Sequence, residues 1–441
     1  MKTNLKSGLM ILILTSTISC TAPKQLGLIK IAESTGEYFG PAEPSIAISP
    51  VNPDIIVAGS ILDRVHYSKD GGHTFNHTAL KSPLGVYGDP VVHADHMGRF
   101  YYVHLGNPDG QGRRSNRWLE SLVIQQSTDA GQTWSEGAAI GTNPPKQQDK
   151  PWIASDATNG DLAVTWTEFD KYGSTDKNDR SRIRFSKSTN QGKTWSTPMT
   201  ISDQEGNCLD DDYTPEGAVP AFGPQHEIYV SWGFDQKLWF DKSSDGGKTW
   251  LPQDMVISDQ IDGWSLDVPG LGRANGMPVT CTDIGVGKYK GSVYVCWADM
   301  KSGAQDMDIW CMYSRDGGAH WSDRIRVNGD ESGRFQFLPW MTVDQSSGYL
   351  YIVYYDRRHH ADHKADIVVA YSKNGGQTFK EILLKESTFS PPSKEVFFGD
   401  YNNISAVQGV VRPIWTSYAD KKLSVWTAII QGKGRGKKVK S

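Results

Sequence analysis

One short pattern, Ser-x-Asp/Asn-x-Gly-x-Thr/His-Trp/Phe, occurs six times and limits the possible folds more than any other feature of the chain. The copies start at Ser68, Ser127, Ser188, Ser243, Ser314 and Ser372. Four carry Asp at the third position (Asp70, Asp129, Asp245, Asp316) and two carry Asn (Asn190, Asn374). Successive starts lie 59, 61, 55, 71 and 58 residues apart, longer than most solenoid repeats and suited to a four-stranded propeller blade. An Asp or Asn side chain accepts hydrogen bonds from backbone N–H groups just ahead of it. Gly supplies the positive φ of a tight hairpin, and the aromatic ring buries itself at the turn. The pattern is thus built for a turn and carries no reactive chemistry.

Upstream of each copy an apolar run opens near Pro, as in Pro44-Ser-Ile46-Ala-Ile48, Pro90-Val-Val92, Pro151-Trp-Ile153, Ala218-Val-Pro220, Pro278-Val-Thr280 and Pro339-Trp-Met341. The unit recurs once more after the sixth copy, as Asn403–Val407, Val411–Trp415 and Leu423–Ile429, but with only three strands. Leu28–Ile31 near the N-terminus has the character of the missing fourth. The expectation is an all-β chain, a β-propeller of four-stranded blades, seven in number, closed by an N-terminal strand. The competing reading is six blades with residues after about 400 as an appendage. Closure between the chain ends removes the long unpaired edge that endangers all-β folds.

The 441 residues leave no room for a second domain of ordinary size beside one large propeller. A formal net charge of −4 and a pI near 6.3 argue against nucleic acid as a partner. Lys2 and Lys6, the apolar stretch Leu9–Leu14 and small residues up to Cys20 read as a signal peptide over residues 1–20. Thr17-Ile18-Ser19-Cys20 is similar to a bacterial lipoprotein processing box. Cys20 is thereby the expected lipidation site, with the propeller over 21–431 and a basic tail over 432–441. A membrane partner enters only through that anchor. The expected location is the bacterial cell envelope, periplasmic or outer-membrane surface, with plain secretion as the alternative. Cys208, Cys281, Cys296 and Cys311 are left as buried thiols or disulfides, with the pairing open.

The six repeats resemble the Asp-box, or BNR, repeats of the sialidase superfamily, and they span nearly the whole chain. The resemblance implies boxes at the blade periphery and an active site at one channel mouth, on loops entering the innermost strands and loops joining second to third strands. Those loops hold Glu43, Asp89, Asp149, Lys150, Glu216, Arg273, Asp400 and Tyr401, and Arg64, Arg357, Arg358, His359, His360 and Asp362. Arg pairs a carboxylate bidentately, and carboxylates or Tyr carry acid/base or nucleophilic roles. By similarity to sialidase segments, Tyr213-Thr-Pro-Glu216 and Asp400-Tyr401 supply catalytic candidates, joined by Asp362. Arg358, Arg357, Arg273, Arg64 and Asp149 are the candidates for holding substrate. The family's first Arg has no counterpart, since Ala42-Glu43-Pro44-Ser45 stands where Arg-Ile-Pro is usual.

The resulting expectation is a sialidase-like glycoside hydrolase acting on an anionic sugar, with a glycan as its partner. The alternatives are a polysaccharide lyase acting on uronate-containing glycan and a non-catalytic binding propeller. His359-His360-Ala-Asp362-His363 and Asp210-Asp211-Asp212 read as solvated loops more readily than as metal ligands, so neither metal nor cofactor is expected.

Overall fold

A computed structural model describes residues 22–35 and 40–432; the signal segment with Cys20 and the basic tail from 433 onward lie outside the described residues. Seven four-stranded antiparallel sheets form a ring. Blade one holds β2 (Ser45–Ile48), β3 (Ile56–Ser60), β4 (Arg64–Ser68) and β5 (Asn76–Ala79). Blade two holds β6 (Val91–Ala94), β7 (Phe100–Leu105), β8 (Leu122–Ser127) and β9 (Ala138–Ile140). Blade three runs through β10 (Gln147–Ser155), β11 (Leu162–Phe169), β12 (Ser181–Ser188) and β13 (Met199–Thr200). Blade four has β14 (Glu216–Phe222), β15 (Ile228–Phe234), β16 (Lys237–Ser243) and β17 (Met255–Asp259). Blade five has β18 (Val279–Thr282), β19 (Val293–Gly303), β20 (Asp306–Ser314) and β21 (Ile325–Arg326). Blade six has β22 (Gln336–Asp344), β23 (Tyr349–Asp356), β24 (Asp366–Ser372) and β25 (Lys380–Leu383). Blade seven joins β26 (Asn403–Val407), β27 (Val410–Ala419) and β28 (Lys422–Gln431) to β1 (Lys24–Glu33) from the other end of the chain. The seven-blade expectation and the N-terminal closing strand are both met.

Each box begins at the last residue of a third strand and leads to the fourth. In blade one Ser68 Oγ donates to Asp70 Oδ1 (2.8 Å) and accepts from the Gly72 N–H (2.8 Å), while Thr74 N–H and Oγ1 donate to the two Asp70 oxygens. The same net recurs at Asp129 and Asp245. In the Asn190 box the side-chain amide donates to Thr194 Oγ1 instead. The residue facing the box Ser stands at the start of the second strand, or one residue in at Leu350: Phe100, Leu162, Ile228, Val293 and Leu350 pair with Ser127, Ser188, Ser243, Ser314 and Ser372. Four residues further on stand His104, Trp166, Trp232, Trp297 and Tyr354, all buried. An even step along a strand keeps both residues on one face, so this register places a large ring at the same depth in five successive blades.

Neighbouring blades are stitched by side chains bonding across the gap. Thr165 Oγ1 donates to the Ala218 carbonyl, Thr282 Oγ1 to that of Phe222, and Tyr355 Oη to that of Thr416. Arg412 of the seventh blade reaches the Gly71 carbonyl in the first blade's box through Nε at 3.0 Å and also through Nη2, which locks the seam of the ring. The described cysteines are free thiols. Cys296 and Cys311 lie directly opposite each other in the β19–β20 ladder.

The channel is plugged midway. Trp152 and Trp340 pack with ring centroids 4.3 Å apart and planes tilted by 41°, and Tyr401 stands edge-on 5.1 Å from Trp152. A cavity of about 430 Å³ lies on one side of the plug, lined by the distal ends of the inner strands. A second cavity, of about 690 Å³, opens where the inner strands begin.

Candidate active site at the channel mouth

Four inner strands are entered through the same strained step. Glu43, Asp89, Lys150 and Leu338 have φ between 49° and 51°, and each precedes a proline. Non-glycine residues rarely occupy this region, and such strain concentrates where function over-determines the backbone. In blades three and six the ladder skips register at this step, between Asp149 and Trp152 and between Phe337 and Trp340. In blade three this bulge carries Asp149 and Lys150, which line the mouth together with Glu43 and Asp89. Gly399 keeps the entry to the last blade open beside them, since its φ is 98° and a Cβ there would approach Glu43 Cγ to 2.8 Å.

The floor is a cluster of carboxylates around two cations. Lys150 Nζ, on a side chain only 5 % exposed, lies 3.0 Å from Asp400 Oδ2, 3.6 Å from Asp89 Oδ2 and 3.9 Å from Asp149 Oδ2. Arg273 forms ion pairs with Asp400 Oδ1 (2.7 Å) and Asp210 Oδ2 (2.9 Å). The Asp400 N–H donates to Glu43 Oε1 (3.2 Å), and Asn275 Nδ2 donates to the Asp400 carbonyl (2.8 Å). So many carboxyls cannot all ionise in one buried place. Burial, reinforced by Asp89 and Asp400, pushes Glu43 well above the usual carboxylate range. Glu216, fully buried with no hydrogen-bond partner for either oxygen among the described residues, is pushed well up by burial and then by Asp210. Burial also raises Asp149, which Lys150 partly pulls back while Asp89 and Asp210 oppose that pull, to about 7. At Asp400 burial acts upward, yet Arg273 and Lys150 outweigh it and hold the carboxyl below its ordinary value. The floor therefore pairs an ionised, clamped Asp400 with an Asp149 that exchanges its proton near neutrality.

One wall is aromatic. Tyr87, Trp118 and Tyr172 meet edge to face, at 5.6 Å between the first two and 5.5 Å between the last two. Tyr172 Oη donates to Asp210 Oδ2 (2.7 Å), which ties the wall to the floor. The rim carries Arg113 and Arg114 on a 3-10 turn, Gly112–Arg114, in the long β7–β8 connection, with the Arg113 guanidinium 5.2 Å from the Trp118 ring centroid.

Of the residues expected from sequence, Asp149, Arg273 and Asp400 line this cavity, and Glu216 lies within its charge field without lining it. Tyr401 is 3 % exposed, donates to the Pro90 carbonyl (3.3 Å) and belongs to the plug. Arg358 is held by Asp356 and Glu381, Arg357 is buried with Nη1 donating to the Pro269 carbonyl, and Arg64 turns back to the Ile61 carbonyl. Asp362 is exposed and paired with Lys364 at 3.2 Å. His359 and His360 both face Asp366, and no cluster of three or more metal-ligating side chains occurs among the described residues. Asp210, which in sequence reads as part of a solvated turn, belongs to the floor, and the wall of Tyr87, Trp118 and Tyr172 carries no sequence signature. The recurrent charged-residue–Pro step at Glu43, Asp89 and Lys150 is the signal in the sequence that points to the floor.

These features define a seven-bladed Asp-box propeller with a carboxylate-floored, aromatic-walled cleft at one channel mouth. The model of the BNR repeat-like domain matches residues 160–409, more than half of the chain, and the protein belongs to that family. Among solved structures it is similar to an ulvan lyase of polysaccharide lyase family PL25, solved bound to -[GlcA(1-4)Rha3S]-, with a TM-score of 0.53 and 13 % identity over 94 % of this chain and 98 % of that one. It is similar also to the NanB sialidase from Streptococcus pneumoniae, with a TM-score of 0.48 and 10 % identity over 77 % and 68 % of the two chains. An α-L-arabinofuranosidase from Fusarium graminearum gives 0.49 and 13 %, over 75 % and 92 %. No curated protein matches the sequence. At 13 % identity the likeness to the ulvan lyase describes the fold alone.

Proposed function

We propose that the protein is a glycan-cleaving enzyme, a glycoside hydrolase acting on an anionic sugar in the cleft above Asp149, Lys150 and Asp400. The observation that carries the reading is the placement of two carboxyls, Asp149 and Asp89, in the cleft around one Lys150 ammonium, with burial pushing Asp149 up to about 7. Cleaving a glycosidic bond takes one carboxylic acid to protonate the leaving oxygen and one carboxylate on the other side of the scissile bond. Asp149 is the acid in this scheme. Asp89, whose Oδ2 has no hydrogen-bond partner among the described residues, is the base or nucleophile. The Tyr87–Trp118–Tyr172 wall offers the faces and edges on which sugar rings pack, and Arg113, Arg114 and Arg273 offer donors for a carboxylate. A tyrosine nucleophile at position 401 does not fit a side chain buried in the plug, so this chemistry rests on carboxylates. Cys20, in the same proposal, carries the lipid that holds the enzyme at the cell envelope.

The ulvan lyase likeness motivates a second product assay, because a uronate could instead be cleaved by elimination. The purified protein is incubated with sialyllactose, polygalacturonate and chondroitin sulfate, following both reducing ends and unsaturated-uronate absorbance. New reducing ends without unsaturation support hydrolysis, and unsaturated product replaces it with a lyase. No product from any of the three, under conditions where the protein stays folded, counts against catalysis.

A further inference from the structure

The connection between β25 and β26 lines two cavities at the same end of the ring. Ser390–Lys394, together with Gly270 and Ala361–Lys364, line an open cavity of about 540 Å³. Glu395, Phe397 and Asp400, next along the same segment, line the site cavity. The partition is as thin as two touching backbones, since a Cβ at Gly272 would fall 2.5 Å from the Lys394 carbonyl oxygen. Gly270 faces one cavity and Arg273 the other. Each space alone has the volume of a small-ligand pocket, so a single sugar unit does not fill the pair.

The floor carboxylates of this double cavity are matched by Lys150 and Arg273, and its outer edges carry Lys364, Lys394, Arg113 and Arg114 beside the Asp362 and Glu395 carboxyls. Lys394 has no ion-pair partner among the described residues, and Lys364 has only the exposed Asp362, a surface pair of little strength. Close by, Arg357 is 3 % exposed. Its Nη1 donates to the carbonyl of Pro269, the neighbour of Gly270, and its Nε and Nη2 have no hydrogen-bond partner among the described residues. Its charge is met by the Asp362 carboxyl through space and by the Phe337 ring, 5.2 Å from the guanidinium. Burying a guanidinium on so few partners is costly, and an anion bound in the adjoining cavity adds to them. At the far rim of the site cavity, Arg113 and Arg114 are exposed and without ion pairs among the described residues.

We infer that the substrate is a polyanionic polysaccharide that occupies both cavities across the Ser390–Phe397 strap, its acidic groups held by Lys394 and Lys364 on one side and by Arg113 and Arg114 on the other. This deepens the glycan reading above and rests on it. A chain bound on both sides of Asp149 is cut internally.

The test is affinity electrophoresis of the full protein through gels containing polygalacturonate, dextran sulfate or neutral dextran, which separates carboxylate from sulfate recognition and both from an uncharged chain. The expected result is retardation by at least one anionic polymer, none by dextran, and a tenfold or greater loss of apparent affinity in Lys364→Glu/Lys394→Glu. Lys364→Ala/Lys394→Ala should fall between the two, and circular dichroism melting of each variant checks the fold. Equal retardation by dextran, no retardation by any polymer, or unchanged binding in both double variants would overturn the inference. Asp149→Asn keeps the two readings apart. Binding that survives in this variant, with no cleavage by the native protein, sinks the enzyme and leaves the polyanion site standing.

Discussion

At the scale of single residues, burial decides which carboxyls do chemistry and which weigh on the fold. Asp241 and Asp254, far from the cleft's lining, show the second case. Burial raises both to about 7, although Asp241 Oδ1 accepts from the Lys242 and Leu251 N–H groups and Asp254 Oδ2 accepts from the Asp203 N–H. Their folded values exceed the ordinary value of 3.8, so the folded state holds protons that the unfolded chain has already released. Stability from these groups is therefore fully present below about pH 4 and is lost as pH rises through about 7. Asp241→Asn keeps an acceptor at Oδ1 and removes the charge. It is expected to stabilise the protein by about 1 kcal/mol at about pH 8 and to flatten the fall between about pH 4 and 7, as read by urea unfolding. An Asp241→Asn protein less stable under those alkaline conditions would contradict the assignment. The same physics makes Asp149 hard to recognise in the sequence. Its residue type and its chain neighbour Lys150 are legible, but Asp89 and Asp210 come from two other connections, and only the closed ring brings them to it. Tyr401 misleads for the converse reason, since a tyrosine entering an inner strand looks identical in sequence whether it faces the mouth or the plug.

At the scale of elements, the boxes are fully legible because everything they need is local. Ser, Asp, Gly and Thr lie within seven positions, and their bonds close within one turn. Two boxes already carry Asn, and Asn190 Oδ1 accepts the Thr194 N–H (2.9 Å) as Asp129 Oδ1 accepts that of Thr133 (2.9 Å). Asp129→Asn is therefore expected to leave stability within about 0.5 kcal/mol of the native protein. Asp129→Ala, which orphans the Thr133 and Gln132 N–H groups, should cost about 1–2 kcal/mol. Thermal melting of the two variants checks the contrast, and neither should change cleavage, since the box lies at the opposite end of its strand from the cleft. The aromatic wall is not legible. Tyr87, Trp118 and Tyr172 sit in connections without period or pattern, and their meeting depends on how three blades are inclined.

At the scale of the whole molecule, the ring closes by borrowing its last strand. β1 pairs with β28 from Lys24↔Gln431 to Glu33↔Ser424, so each end of the chain covers the other's edge. Removing residues 22–33 exposes β28 along its length and opens a route to strand-edge association. The truncated protein is expected to be aggregation-prone and to melt well below the native protein by circular dichroism, with concentration-dependent light scattering. A truncated monomer of native melting temperature would show that closure is dispensable. Closure also fixes the site, because Asp400 and Glu43 reach the same floor from the last and first blades.

Whether the cleft is a catalytic centre is decided by the pH dependence of kcat/KM on the best substrate of the panel, for the native protein and Asp149→Asn. With Asp149 as the proton donor, the native rate falls above an apparent pKa near 7, the value set by burial and Lys150, and falls again on the acid side as the base carboxylate takes up a proton. Asp149→Asn should lose about two to four orders of magnitude and show no limb near 7. A native profile without that limb, or an Asp149→Asn protein of ordinary rate, would contradict the claim that this carboxyl is the acid at the propeller mouth.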